Sequence, residues 1–158
     1  IMGTTTFSGP VRSERGFTAV GSTAVVEITA ETTLTYADHV GRIIEVNDAD
    51  GAVTLPAITS DTIGATYKFF IGTNASDLDI KTDGTDKFSG MLVLAAAATS
   101  QSRGFAPAAS NDVITMNGST QGGLAGSTLE VTAIGTDEYL VTGTLLGSGT
   151  LATPFADA

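Results

Sequence analysis

The sequence predicts an all-β fold: an antiparallel β-sandwich or jelly-roll-like domain with an extended N-terminal arm. Two observations carry this. Over residues 51–90, short runs of Val, Leu, Ile, Phe and Tyr alternate with Gly, Asp, Asn and Thr, the pattern of strands joined by tight turns. Thr is abundant throughout and Gly numbers 19 against 4 Pro. The branched Cβ of Thr suits a pleated surface, and Gly supplies turn conformations. No segment has the period of an amphipathic helix.

Residues 1–20 have no period, with Gly9-Pro10 and Gly16 as breakers, and read as the arm; residues 21–158 read as a single β-rich domain. Ala24–Ile28 is the first expected strand, Thr32–Tyr36 the second and Arg42–Val46 the third. Asp50-Gly51 then signals a hairpin, because Asp-Gly readily takes the positive φ a tight turn needs. Val53 and Leu55 point one way until Pro56, lacking an N–H, ends the ladder. In Thr66–Ile71, Tyr67, Phe69 and Ile71 alternate with Lys68 and Phe70. Leu78 and Ile80 mark a further strand, Asp83-Gly84 a second hairpin signal, and Phe88–Leu94 the strand after it. Residues 95–110 are the least strand-like: their alanines permit a helical turn, but Gly104 and Pro107 forbid a long helix. Val113–Met116, the Asn117-Gly118 turn, Leu129–Ile134 and Tyr139–Thr142 resume the pattern, and a Gly/Thr-rich tail closes the chain. The hairpin signals are irregularly spaced, so no repeat of fixed period emerges.

A length of 158 residues fits one well-cored domain. Charged residues are only 15%, against about 25% in an average domain, which points to surface covered by Thr, Ser and Gly or buried against other subunits. Seventeen acids against seven bases give a net charge of −10, a field that repels nucleic acid. The arm is different, since Arg12 and Arg15 against Glu14 leave it slightly basic. There is no Cys, hence no disulfide, thiolate metal site or Cys nucleophile. The longest apolar run, Met91–Ala98, is far short of the roughly 20 residues that span a bilayer. The opening IMGTTTFSG lacks the basic and hydrophobic regions of a signal peptide.

Chemistry-bearing patterns are sparse. His39 is the sole histidine; on a strand its neighbour Asp38 would face the other way and fail to orient it, so it reads as a surface or loop residue. Asn47–Gly51 (NDADG) resembles a calcium loop, but with Gly51 as the sixth residue the first and twelfth positions are Val46 and Ala57, where oxygen ligands are required. Asp48 with Asp50, and Asp77 with Asp79, read as turn carboxylates. Gly147-Ser148-Gly149 followed by Ala152 is a turn, because no helix can follow it as a dinucleotide site demands. Asn74-Ala75-Ser76 and Asn117-Gly118-Ser119 match glycosylation sequons and also read as turns. No catalytic residue, cofactor or metal ligand is expected, and the protein is expected not to be an enzyme.

Three segments carry a resemblance: TTFSGPVRSERGF (5–17), DADGAVTLPAITSDTIGATYKFFIGT (48–73) and GGLAGSTLEVTAIGTDEYLVTGTLLGSGT (122–150). Together they resemble the head-decoration (cement) proteins of tailed, marine-type bacteriophages and related small virion structural proteins. The resemblance implies a β-rich homotrimer on the exterior of the capsid that stabilises the head by bridging major capsid protein subunits. It brings no catalytic residues. Phe7, Arg12, Arg15 and Phe17 are the expected capsid-contact residues of the arm. Leu92, Leu94 and Ala95–Ala98 are the expected apolar contacts between copies. The alternatives are a tail or head fibre or receptor-binding adhesin module, and a carbohydrate-binding β-sandwich. Neither nucleic acid nor membrane is an expected partner.

Overall fold

The computed structural model describes residues 20–158. Phe7, Arg12, Arg15 and Phe17, and the arm they belong to, lie outside the described residues apart from Val20. The chain is mostly strand, with 47% of residues in strands and 6% in helix, as the sequence pattern requires. The strands are β1 (Val25–Ile28), β2 (Thr32–Thr33), β3 (Ile43–Val46), β4 (Ala52–Thr54), β5 (Thr66–Ile71), β6 (Leu78–Lys81), β7 (Lys87–Ala96), β8 (Gln101–Phe105), β9 (Val113–Met116), β10 (Thr128–Gly135), β11 (Glu138–Gly147) and β12 (Phe155–Ala156).

They form two mixed sheets, one of seven strands in the order β1-β3-β5-β10-β11-β7-β8 and one of five in the order β12-β9-β6-β4-β2. The expectation of antiparallel sheets is therefore corrected. From β1 to β6 the chain changes sheet at every connection, so each strand returns beside its predecessor in the same direction. The pairs β1/β3, β3/β5, β2/β4 and β4/β6 are all parallel. Parallel pairing without an intervening helix works here because the strand in the opposite sheet serves as the crossover.

Turn chemistry explains the corrected corners. Asp50-Gly51, Asp83-Gly84 and Asn117-Gly118 are not hairpins; each carries the chain from one sheet to the other. Asp and Asn side chains stabilise a tight turn whichever partner the next strand chooses. Asp83 Oδ1 accepts from the N–H groups of Thr85 and Asp86 at 2.9 and 3.1 Å. Asn117 Oδ1 accepts from Ser119 and Gln121 at 2.9 and 3.0 Å. Among the named strands, consecutive antiparallel neighbours are β7/β8 and β10/β11. The latter turn on Thr136-Asp137, with Asp137 at φ 66°.

Two local expectations change as well. Thr32–Tyr36 is strand only at Thr32–Thr33, and Tyr36–His39 forms a single helical turn, α1. Thr35 caps it: its hydroxyl accepts from the Asp38 N–H at 3.3 Å and donates to the Asp38 carboxylate at 2.8 Å, satisfying a helix-start donor that a strand would have paired elsewhere. Within residues 95–110, a 3₁₀ turn at Ala97–Thr99 leads into β8, an exposed edge strand. Its QSRGF sequence lacks apolar alternation because its first four residues are exposed and only Phe105, partly buried, packs against the core, which hides it from a pattern reading.

Period-two burial is clean in the central strands. Tyr67, Phe69 and Ile71 of β5 are buried while Lys68 and Phe70 are exposed. The seven-stranded sheet contributes Ile44, Val46, Leu92, Leu94, Val131 and Val141 to the core, and the five-stranded sheet contributes Val53, Leu78, Ile80, Ile114 and Met116. Leu92, Leu94 and Ala96 are thus filled by the chain's own core, at 0%, 0% and 1% exposure. This corrects the expectation that they join copies: on β7, alternate residues face inward, so their run of apolar character does not make a surface. Tyr67 and Tyr139 meet edge to face, with ring centroids 6.5 Å apart. The Tyr139 hydroxyl donates to the Pro56 carbonyl at 2.7 Å. The Tyr67 hydroxyl is buried with no hydrogen-bond partner among the described residues. Its burial, and secondarily Tyr36 nearby, pushes its pKa up to about 12.

Two buried carboxylates tie corners together. Asp86 Oδ2 accepts from the Ile58 N–H at 3.0 Å. Desolvation raises its pKa, reinforced by Asp83 and Asp137 and opposed by the Ile58 hydrogen bond and by Lys87. Asp112 accepts from Lys87 Nζ at 2.7 Å and from the Ala158 N–H at 2.9 Å. Desolvation alone would raise its pKa, but these hydrogen bonds and the Lys87 charge outweigh it, and the net shift is downward.

The signs differ. The contribution of Asp112 is full above the ordinary carboxylate value of 3.8 and is lost as pH falls through its depressed folded-state value. The contribution of Asp86 is full below 3.8 and is lost as pH rises through its raised folded-state value. Asp86→Asn, which keeps an acceptor for Ile58, should stabilise the protein at neutral pH, and the gain should vanish as pH approaches the ordinary carboxylate value. Lys87→Met should cost about 2 kcal/mol at neutral pH, the cost fading once Asp112 is protonated. Urea denaturation across this pH range measures both. The two core tyrosines give a second contrast by the same method. Tyr67→Phe removes an unpaired buried hydroxyl and should leave stability unchanged or raise it by about 1 kcal/mol, whereas Tyr139→Phe orphans the Pro56 carbonyl and should lower it by about 1–2 kcal/mol.

Candidate interaction surface

The residues the sequence singled out for chemistry serve the fold. His39, expected at the surface, is buried at 8% exposure. It ends α1 rather than sitting on a strand, and its Nδ1 accepts from the Thr35 N–H at 3.0 Å. Asp38 turns back to Thr35 and does not orient the imidazole. Asp48 Oδ1 accepts from the Asp50 N–H at 3.4 Å within its own turn. The Asp77 N–H donates to the Ala49 carbonyl at 3.1 Å, holding the two acidic turns side by side. Among the described residues no group of three or more His, Cys, Asp or Glu side chains is placed to hold a metal. Asn74 and Asn117 are structural. Asn74 Oδ1 accepts from the Ala125 N–H at 2.8 Å, and the Asn117 amide donates to Thr120 and Gln121, each at 3.0 Å. Among the described residues no helix is long and apolar enough to cross a membrane.

What stands out is a face. Ladder register places Val25, Ile43, Lys68, Glu130, Thr142 and Met91 in one row across the outside of the seven-stranded sheet. Glu45 and Phe70 belong to the adjacent row. Of the eight large apolar residues exposed among the described residues, Val25, Ile43, Phe70, Met91 and Ile134 all lie on strands of this sheet. The outer face of the five-stranded sheet instead presents Thr33, Thr54, Asp79, Lys81 and Thr115. The asymmetry is chemical: one sheet is finished for water and the other is not.

A groove of about 540 Å³ runs across β1, β3, β5, β10 and β11 on that unfinished face. Val25, Ile43 and Phe70 give it apolar walls. Beneath it β11 lies tight against β10, because Gly143, at φ 152°, has no Cβ to collide with the Thr128 carbonyl oxygen. Its charged side chains are Glu45, Lys68 and Glu130, with Lys68 Nζ 3.6 Å from Glu130. Such a groove can bind an extended apolar segment bearing positive charge.

No sequence signal found this surface, because it is assembled from single residues of separate strands. Only the period-two exposure of Phe70 between buried Phe69 and Ile71 was a local hint. Comparison with family models, with curated proteins and with solved structures found no match to this chain.

Proposed function

We propose that this chain is a structural virion protein, a capsid decoration protein. It coats the outside of a bacteriophage head as a homo-oligomer, a trimer by the resemblance, and bridges major capsid protein subunits. The observation that carries the reading is the concentration of exposed apolar residues on the outer face of one sheet, a surface of the kind that buries against other proteins. The rest of the chain supports it. An acidic total charge of −10 keeps coated particles apart, and the body that would carry the contacts is mostly strand, in two mixed sheets. In this reading residues 1–20 are the arm, with Phe7, Arg12, Arg15 and Phe17 on the shell, adding strand-type hydrogen bonds to it.

Removing residues 1–17 should abolish binding to capsids while leaving a folded trimer, measured by co-sedimentation with undecorated heads and by size-exclusion chromatography with light scattering. Undiminished binding would refute the arm's role. Cryo-electron microscopy of virions locates the protein: density at three-fold positions outside the head supports decoration, and density on the tail replaces it with the adhesin reading.

A further inference from the structure

The outer face of the seven-stranded sheet calls for a partner of one particular chemistry. We infer that its groove recognises an extended, arginine-bearing apolar segment of a second protein. Apolar side chains of that segment meet Val25 and Ile43, and its guanidinium lies along Phe70 toward Glu45 and Glu27. The inference rests on the decoration reading for the identity of that protein, a capsid subunit.

Charge selects the sign of the partner. Register sets Glu27, Glu45 and Phe70 side by side in one row, with Lys68 and Glu130 in the row beside it. Three carboxylates against one ammonium leave −2 on these two rows, and the ammonium lies 3.6 Å from Glu130. The excess negative charge therefore falls on the side of Glu27 and Glu45, next to an aromatic ring that is 37% exposed. Two carboxylates beside such a ring suit a guanidinium, which stacks on the ring and donates to acids in its own plane. Two copies of this face laid together would bring like charges into contact, and nucleic acid or an anionic lipid surface would be repelled.

Shape selects an extended segment. The groove crosses five strands, a span of about 20 Å that about six extended residues cover. In an extended chain alternate side chains share one face. One face of the segment then lies on Val25, Ile43 and Phe70 while the other stays in water. Burial of the apolar walls supplies affinity, and the acids supply the choice of partner.

Selection from a displayed library of random peptides on the immobilised full chain tests it, the affinities of enriched peptides then being measured by fluorescence anisotropy. The expected peptides carry Arg among alternating apolar residues. Ile43→Glu and Glu45→Lys should each weaken their binding about tenfold, and Glu45→Lys used as the bait should enrich acidic peptides instead. Ile43 is 47% exposed and Glu45 lines the groove, so neither replacement reaches the core, and a thermal melt verifies the fold. The inference is overturned by no enrichment, by acidic peptides enriched on the natural chain, or by binding that neither variant weakens. A fall in oligomer mass on Ile43→Glu, read by light scattering, overturns it in favour of a second copy on this face. No capsid enters the selection, so the two readings fail separately. Arginine peptides held in the groove while undecorated heads go unbound would sink decoration alone. Heads bound equally well by Ile43→Glu would sink the groove's role alone.

Discussion

The structure depends on one constraint: the chain must change sheets at almost every corner of its first half. Once β1, β3 and β5 lie parallel in one sheet, β2, β4 and β6 have to lie parallel in the other, because each is the crossover of its neighbour. The core follows directly. Inward residues of successive turns stack in columns, such as Val46 beside Ile71 and Val53 beside Ile80, and β-branched and aromatic side chains pack well in such stacks. The polar corners follow too. Asp83, Asp86 and Asn117 satisfy backbone donors where the chain leaves a ladder, since a corner between sheets has no strand to pair with.

Strand positions were legible in the residues, and pairing was not. Tyr67, Phe69 and Ile71 announce β5 by alternation, and Leu78 with Ile80 announces β6, because burial of one face is a local property. Direction and neighbours depend on which strand returns alongside, which is a property of residues far apart in sequence. Hence Asp50-Gly51 and Asp83-Gly84 look like hairpins in the sequence: their turn chemistry is real, but the same Asx geometry serves a corner. His39 shows a second limit. Its burial comes from a helical turn that Thr35 caps, and one capping hydroxyl outweighs the strand propensity of Thr32–Tyr36. Strand β8 shows a third, as an edge strand with a single core contact, Phe105, leaves no apolar pattern to read.

The surface was the least legible part. Met91–Ala98 looks like a contact surface as a string of letters, yet alternate members of it fill the core. The residues that do face outward, Val25, Ile43 and Phe70, are far apart in the sequence and become neighbours only through β1/β3/β5 register. Sheet outer faces are often composite in this way, and their character emerges only when the rows are aligned.

The position of the β10–β11 hairpin has a consequence for how the protein is made. These strands are inserted between β5 and β7, although they follow both in the chain. During synthesis the seven-stranded sheet cannot close until Gly147 has left the ribosome. Until then β5 and β7 each present an open edge, with Phe69, Leu92 and Leu94 still facing solvent on the nascent polypeptide. Vectorial folding of this sheet therefore waits for β11, and the chain's dependence on chaperones should be set by that delay rather than by the stability of the finished sheets.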